Sequence, residues 1–264
     1  CEIMVSIDKN KCIGCGMCVK DCFYTVISVQ DGKAQVSGSC FECGHCVAVC
    51  PVNAVSIPEL PMEEVYEYDE NCKMNPENLL RFMQFRRSVR QFKSDAIPKE
   101  TLEMILEAGR YTPTAGNRQD VSFVVVQDSM GEIKPVLWDT LGKMVDSGVM
   151  GPYTPLLRIV CDKYEADPKE DRLFCGANAM VLVLTENPMN GGLAATSVEL
   201  MAQSLGVGVL YSGFLMGAIN RTQEIKDRLK IRENQHLAAV MLMGVPDVKY
   251  QRTAPRKKAN IVWE

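Results

Sequence analysis

The sequence predicts an α+β protein made of two modules, a small cysteine-rich module followed by a larger one of mixed helices and strands. Nine of the 12 cysteines lie in the first 50 residues of the 264-residue chain. An acidic, proline-containing stretch follows them, and beyond it amphipathic helix patterns alternate with apolar runs typical of buried strands. We therefore expect a first module at 1–60, a linker at 61–78 and a second module at 79–264.

Composition and charge narrow the possible functions. The net charge of −4 does not favour nucleic acid as a partner. No apolar run reaches about 18 residues, so we expect no membrane-spanning segment. Residues 61–78 carry one lysine against six acidic residues, whereas residues 1–60 carry four lysines against six. Such an acidic stretch is typical of an extended linker between modules.

The cysteine-rich module contains an internal repeat with an offset of 28 residues. Gly16 recurs as Gly44, and the apolar run at 26–29 recurs at 54–57. Such self-similarity indicates a duplicated unit. The cysteines follow the same offset, since Cys12, Cys15, Cys18 and Cys22 recur as Cys40, Cys43, Cys46 and Cys50.

Each repeat has the spacing C-x2-C-x2-C-x3-C, which favours iron–sulfur clusters. Zinc usually takes two separated CxxC pairs, and disulfide frameworks suit small secreted domains, so both alternatives are disfavoured. In bacterial ferredoxins with two clusters, the fourth cysteine of this run binds the other cluster. The spacing therefore predicts one cluster on Cys12, Cys15, Cys18 and Cys50, and a second on Cys40, Cys43, Cys46 and Cys22.

Residues 3–58 resemble the two-cluster bacterial ferredoxins, which implies two [4Fe–4S] clusters. Pro51 follows Cys50 as in that pattern, whereas Phe23 follows Cys22. The departure leaves the ligands intact. It is expected to affect the cluster potential, which hydrogen bonds and solvent access tune.

The second module is predicted to open with two helices. Asn75 suits an N-cap and Pro76 the first helical position, so a helix is expected through Met83. A second helix is expected after Pro98, with an apolar stripe at Leu102, Ile105, Leu106 and Gly109.

Apolar runs and helical periodicity predict the remaining elements of this module. Asn220 is predicted to cap a short helix over 222–230. We expect strands at 121–127, 179–185 and 236–245 and a core helix at 193–205.

Two polar segments are candidates for binding. Arg86-Arg87-Ser88-Val89-Arg90 combines arginines with a hydroxyl, and arginine binds phosphate through a fork of donors. The alternative is a solvated basic helix end. A loop of turn-forming residues contains Asn117 and Gln119, whose amides could contact a heterocycle, and ordinary turn chemistry is the alternative there.

Residues 79–264 resemble the nitroreductase family of FMN-dependent oxidoreductases. The resemblance implies a nitroreductase-type α+β sandwich, FMN as cofactor, and a homodimer in which residues of both subunits surround each FMN. It rests on four segments in order, RRSVRQF, LEAGRYTPTAGNRQ, LAATSVELMAQSLGVGVLYSGF and LAAVMLMGVPDVKYQRTAPRKK.

The resemblance also implies which residues bind FMN. Asp120 and Val121 stand where the family often has Pro-Trp, and Ser212 stands where some members have an acid, so substrate choice is expected to differ. No residue is predicted as a general acid. The implied FMN residues are Arg86, Arg87, Ser88 and Arg90 at the phosphate, Asn117 and Gln119 at the isoalloxazine edge, Ser212 and Gly213 at flavin N5, and Arg256 and Lys258 closing on the phosphate.

Together these features predict an oxidoreductase in which two [4Fe–4S] clusters pass electrons to FMN, which reduces a nitroaromatic, a quinone or a similar activated organic acceptor. Flavins can accept electrons singly and deliver a hydride. One alternative is a reductase specific for an enone or a halogenated aromatic. Another is an electron-transfer module that acts between protein partners.

The electron donor and the location are also predicted in general terms. A ferredoxin or NAD(P)H is expected as the donor. The absence of a G-x-G-x-x-G motif after a strand decides little, because nitroreductase-like enzymes need no separate dinucleotide-binding domain. Solvent-exposed [4Fe–4S] clusters are oxygen-labile, which predicts a cytoplasmic location in an anaerobe.

Overall fold

The computed structural model describes residues 5–264, and the contacts divide the chain into two compact units. The first unit ends at Met74 and also contains Ala115–Arg118, and the second comprises Asn75–Thr114 and Gln119–Glu264. The module boundaries at 60 and 79 stay a prediction. A helix already begins at Pro76, so the end of the predicted linker is helical. Cys1 lies outside the described residues.

Short strands and short helices make up the first unit. The elements are β1 (Ser6–Ile7), α1 (Met17–Asp21), β2 (Ile27–Gln30), β3 (Lys33–Val36), α2 (His45–Ala48) and β4 (Val55–Ser56). β1 pairs with β4 and β2 pairs with β3, both in antiparallel register. The repeated apolar runs at 26–29 and 54–57 overlap β2 and β4.

The two repeats share backbone conformation as well as sequence. Gly16 and Gly44 precede α1 and α2 with φ angles of 73° and 75°. Thr25 and Asn53, which occupy equivalent positions, also have positive φ angles, 53° and 47°. The core of this unit combines aliphatic side chains with cysteines, namely Val5, Cys12, Cys18, Ile27, Ala34, Cys46, Ala54, Val55 and Ile57.

The second unit is built on a four-stranded antiparallel sheet with the strand order β5-β6-β8-β7. Its strands are β5 (Ser122–Val126), β6 (Ala179–Thr185), β7 (Gly208–Tyr211) and β8 (His236–Gly244). Its helices are α3 (Pro76–Phe85), α4 (Lys99–Arg110), α5 (Met130–Asp146), α6 (Thr154–Ala166), α7 (Pro188–Ser204), α8 (Gly213–Arg221) and α9 (Gln223–Arg228).

Helices cover both faces of this sheet. Side chains alternate between the faces of a strand, so neighbouring residues of β6 belong to different cores. Val181 belongs to a core that contains Ile105 of α4. Leu182 belongs to a core that contains Leu137 of α5 and Leu215 of α8. This explains why β6 is apolar from Ala179 to Leu184, and the predicted α+β class is confirmed.

Local sequence signals identified most elements, with one error. The Asn75 side chain accepts a hydrogen bond from the Asn78 amide at 3.0 Å and caps α3 as predicted. The predicted cap at Asn220 is wrong, because that residue lies inside α8. The next helix, α9, begins after Thr222. Within residues 5–264, no helix has the length and apolar character that crossing a membrane requires.

Candidate functional site

Four cysteines from both repeats line one cavity in the first unit, and they are the first predicted quartet. The cavity contains Cys12, Cys15, Cys18 and Cys50, with apolar neighbours that include Val52. Burial raises the pKa of the Cys18 thiol, and the charges of the other three cysteines raise it further. The other three thiols thus lie close enough to Cys18 to influence its pKa, as ligands of one cluster would.

The second quartet shows a similar grouping. Burial raises the pKa of Cys46 to about 11, and the charges of Cys40 and Cys43 add to the increase. The Glu42 amide donates to Cys40 Sγ at 3.2 Å. Cys22, the predicted fourth member, is half-buried directly after α1. The assignment of each cysteine to a cluster stays a prediction.

Backbone amides also point at sulfurs of the first quartet. Ala34 N donates to Cys12 Sγ at 3.3 Å, and Ala54 N donates to Cys50 Sγ at 3.2 Å. The Ala34 amide lowers the pKa of Cys12 most strongly, and Lys33 and Lys9 act in the same direction. Groups that stabilise a thiolate suit a metal-bound cysteine, so these residues fit an iron–sulfur cluster.

The cysteines are available as ligands but are not arranged around a single ion. All 11 described cysteines are free thiols. In residues 5–264, no group of three or more His, Cys, Asp or Glu side chains could hold one metal ion. In a four-iron cluster each thiolate binds a different iron, so the sulfurs stand further apart than around one zinc ion.

The predicted phosphate segment lies beside the sheet of the second unit. Ser88 forms a parallel bridge with Val209 of β7, and the Val89 amide donates to the Val209 carbonyl at 2.9 Å. Arg86 and Arg256 line one open cavity of about 550 Å³, although they are far apart in the sequence. This cavity also contains Arg81, which the sequence did not single out.

A buried acid holds Arg86. Arg86 Nη1 lies 2.8 Å from Oε1 of Glu199, a residue on α7 that is only 5% exposed. The hydrogen bond to Glu199 raises the pKa of Arg86. A guanidinium has five donors, so Arg86 can pair with Glu199 and still contact a phosphate. Glu199 was not predicted, and the one available signal was an acid on a helix without any other charged residue.

Tyr211 lies next to this ion pair and extends the polar network. Its hydroxyl donates to the Ala195 carbonyl at 2.8 Å. Burial raises the pKa of Tyr211, and the negative charge of Glu199 raises it further. The phenol is therefore neutral at ordinary pH and acts as a hydrogen-bond donor.

The other predicted phosphate residues have different surroundings. The Arg87 guanidinium carbon lies 5.5 Å from the ring centroid of Tyr250, a cation–π distance. The Tyr250 hydroxyl donates to the Ser88 carbonyl at 3.4 Å. Arg90 is exposed, and so is Lys258, which lies in a C-terminal stretch without helix or strand.

The two residues predicted at flavin N5 line a separate cavity of about 270 Å³. Ser212 N donates to the Val240 carbonyl at 2.9 Å, and its Oγ accepts from the Leu215 amide at 3.3 Å. The Ser212 amide is therefore used within the fold. Gly213 begins α8, and the first amides of a helix have no partner within the helix. Of the two, Gly213 offers the amide for a ligand.

The loop predicted at the isoalloxazine edge is tightly turned. Asn117 and Gln119 have positive φ angles of 51° and 48°, and the Gln119 amide donates to Thr114 Oγ1 at 2.9 Å. Asn117 belongs to the segment grouped with the first unit. There its Nδ2 donates to the carbonyls of Phe41 at 3.1 Å and Glu42 at 3.0 Å. Its Oδ1 remains as an acceptor.

Asp120 has a structural role, and its expected influence on substrate choice stays a prediction. Its carboxylate accepts from Thr185 Oγ1 and Asn190 Nδ2, both at 2.7 Å, and from the amides of Glu186 and Asn187. Burial alone would raise its pKa, but these hydrogen bonds hold the pKa at about 2. The charged side chain thus fixes the turn between β6 and α7.

Comparison with known proteins agrees with both units. The pattern of the nitroreductase family matches residues 83–245, and the pattern of a 4Fe-4S dicluster domain matches residues 11–55. The family pattern covers more than half of the chain, and it defines an oxidoreductase class. The chain belongs to the nitroreductase family and carries a 4Fe-4S dicluster domain, so both predicted resemblances are confirmed.

Two curated relatives are similar to this chain. An NADPH-dependent oxidoreductase of Staphylococcus haemolyticus is 29% identical over 154 residues, which cover 55% of this chain and 57% of that protein. The chain thus spans little more than half of that relative. A protein of Archaeoglobus fulgidus, provisionally named an NADH dehydrogenase/NAD(P)H nitroreductase, is 28% identical over 178 residues, covering 64% and 86%.

Solved structures share the fold. A nitroreductase with bound FMN from Desulfitobacterium hafniense has 25% identity and a TM-score of 0.56, covering 72% of this chain and 100% of that one. A nitroreductase with bound FMN from Bacteroides fragilis has 22% identity and a TM-score of 0.54, with the same coverage. The second likeness shows the fold alone.

Proposed function

We propose that the chain is an FMN-dependent oxidoreductase in which two [4Fe–4S] clusters supply electrons to FMN for the reduction of nitroaromatics, quinones or a similar activated organic acceptor. The observation that carries this proposal is the cavity lined by Cys12, Cys15, Cys18 and Cys50 in a chain of the nitroreductase family. Clusters transfer single electrons and FMN can deliver a hydride, so the two chemistries are complementary.

The residues of the second unit support FMN as the cofactor. Arg81, Arg86 and Arg256 line one cavity and would bind a phosphate through charge-assisted hydrogen bonds. Glu199 would hold Arg86 in the orientation that this contact needs. Gly213 would donate its amide at the N-terminus of α8, where the helix dipole favours negative charge. FMN is also the ligand of the Desulfitobacterium hafniense neighbour.

The remaining FMN residues are proposed from the family resemblance. Gln119 and the Oδ1 of Asn117 would contact the isoalloxazine edge. Ser88 would act near the phosphate, where its bridge to β7 fixes its position. The sequence predicts no side chain as a general acid, so we propose that solvent supplies the proton.

An anaerobic optical titration tests the proposal. The purified protein is reduced with dithionite, then in separate samples with reduced ferredoxin, NADH and NADPH, and finally mixed with a nitroaromatic and a quinone. We expect the cluster and flavin bands to bleach with a donor and to return with an acceptor. The names of the staphylococcal relatives make NADPH a donor to test beside ferredoxin.

Cysteine variants distinguish the contribution of the clusters from that of the flavin. Cys43→Ser should lower iron content and abolish acceptor reduction driven by ferredoxin, while FMN content stays unchanged. Cys72→Ser is the matched control, because Cys72 is exposed and lies outside both repeats. Absent flavin bands, or reduced flavin that survives every acceptor, would contradict the enzyme and favour transfer between protein partners.

We also propose a homodimer and a cytoplasmic location in an anaerobe. Light scattering coupled to size-exclusion chromatography should give twice the mass of one chain. Because [4Fe–4S] clusters are oxygen-labile, aerobic purification should reduce iron and sulfide content. Full iron content and activity after days in air would contradict the proposed anaerobic location.

A further inference from the structure

The two cysteine quartets of the first unit lie in unlike electrostatic surroundings. Asp8 and Asp21 of the first repeat correspond to valines in the second, and Gly14 corresponds to Glu42. The lysines of the first repeat have uncharged counterparts, since Lys9, Lys11 and Lys20 correspond to Ser37, Ser39 and Ala48.

Two ammonium groups are held against the backbone around Cys12. Lys33 Nζ donates to the Cys12 carbonyl at 2.6 Å, and Lys9 Nζ donates to the carbonyl of Ala34. The Ala34 amide in turn donates to Cys12 Sγ. The Asp8 carboxylate of the same region is exposed and accepts from backbone amides. Half-buried Lys33 is screened less than such an exposed charge.

The second quartet has an acid where the first has glycine. Glu42 lies between Cys40 and Cys43 in the sequence, and its amide donates to Cys40 Sγ. Its Oε1 is buried, with no hydrogen-bond partner in the part of the chain that the structure describes. The equivalent of Lys33 in the second repeat is Pro61, which brings no charge.

We propose that the first quartet holds the cluster of higher reduction potential, and that Lys33 and Glu42 set much of the difference. This inference rests on the proposed function, because it needs a cluster in each quartet. Each one-electron reduction adds negative charge to a cluster. Nearby ammonium groups and amide donors therefore favour the reduced state, and a nearby carboxylate disfavours it. An electron that enters this unit would then reside mainly on the cluster that the first quartet holds.

The test is a redox titration of the holoprotein monitored by electron paramagnetic resonance. The wild type should show two resolved one-electron couples. Lys33→Gln removes the charge but keeps a donor for the Cys12 carbonyl. It should lower the reduction equilibrium constant of the upper couple three- to tenfold, where tenfold corresponds to about 59 mV, and leave the lower couple in place. Glu42→Gln should raise the reduction potential of the lower couple and leave that of the upper couple unchanged.

Two control variants distinguish local charge from other effects. Lys33→Arg keeps the charge and should give the wild-type reduction potential for the upper couple. Lys99→Gln removes an exposed charge, 87% accessible, at the start of α4 and should move neither couple. Equal potentials in the wild type, or a Lys33→Gln shift confined to the lower couple, would overturn the inference. Iron and sulfide for fewer than two clusters per chain would overturn the proposed function with it.

Discussion

The two units of this chain differ in what fills their interiors. Within residues 5–74 of the first unit no strand exceeds four residues, and three of the nine buried core side chains are cysteines. In the second unit β6 alone has seven residues, all of them buried, and helices pack on both faces of its sheet. A small unit buries too little apolar surface to be stable by itself, so metal ligation commonly supplies the rest. We infer that the first unit depends on its clusters and the second on its own core.

Removal of iron should give the largest difference between the two units, because only the first unit is expected to unfold. Oxidation and chelation under anaerobic conditions should unfold the first unit, because its cysteines would lose the iron that links them. Limited proteolysis should then cut within residues 5–74 while the segment from α4 to α8 stays resistant. Fluorescence of buried Trp138, recorded with Trp263→Phe as background, should not change. Parallel loss of both units would refute the comparison.

The second largest effect is expected at Gly14. A Cβ there would lie 2.3 Å from the Gly32 carbonyl oxygen, and the φ angle is +66°. Gly14→Ala should therefore displace the loop that carries Cys12 and Cys15, and about half of the bound iron should be lost. Gly16→Ala has a similar φ angle but open space for its Cβ, and should cost only about 1–2 kcal/mol. Iron analysis of both variants decides the outcome.

Leu182→Ala in β6 tests the core of the second unit. The side chain is completely buried, so the free energy of unfolding should fall by about 2–5 kcal/mol in urea titrations followed by Trp138 fluorescence. Leu80→Ala on α3 is the matched control, because Leu80 is 57% exposed and should change stability by less than about 0.5 kcal/mol. Iron content should be unaffected by either change. A large loss of clusters in Leu182→Ala would contradict the separation of the units.

The smallest effect concerns Asp120. Its pKa is about 2 in the folded chain against an ordinary 3.8, so its stabilising contribution is present above about pH 4 and is lost as the pH falls towards 2. The difference corresponds to about 2 kcal/mol. Asp120→Asn should remove this contribution and flatten the dependence of stability on pH between 4 and 2. Subtracting the variant's profile from that of the wild type cancels effects of acid on the clusters.

Features encoded in short segments could be predicted from the sequence. Three ligands of each quartet lie within seven residues, so the spacing alone indicated the chemistry. The N-cap at Asn75 and the apolar stripe of α4 were equally local. The error at Asn220 has a local cause as well, since Ser212 caps α8 and the helix continues past Asn220 before the chain turns at Thr222.

Pairings between distant segments needed the tertiary structure. Arg86 was predicted at the phosphate, but nothing in the sequence paired it with Glu199 on α7. Asp120 also fixes the turn before α7, through contacts to Thr185 and Asn190 that the sequence did not indicate. The sequence predicted both Ser212 and Gly213 at flavin N5. Only the hydrogen bond from the Ser212 amide to the Val240 carbonyl distinguishes them.

The sequence by itself determined the family, the 4Fe-4S dicluster domain and most helices and strands, whereas FMN and the cysteine quartets stay predictions. Cysteine spacing and hydrophobic periodicity act over a few residues, where the backbone fixes which side chains lie together. The tertiary structure decided which charges meet, which amides remain available, and how the surroundings of the two quartets differ. Hydrogen bonds and ion pairs between distant residues depend on packing that brings those residues within about 3 Å, and sequence spacing does not encode this distance.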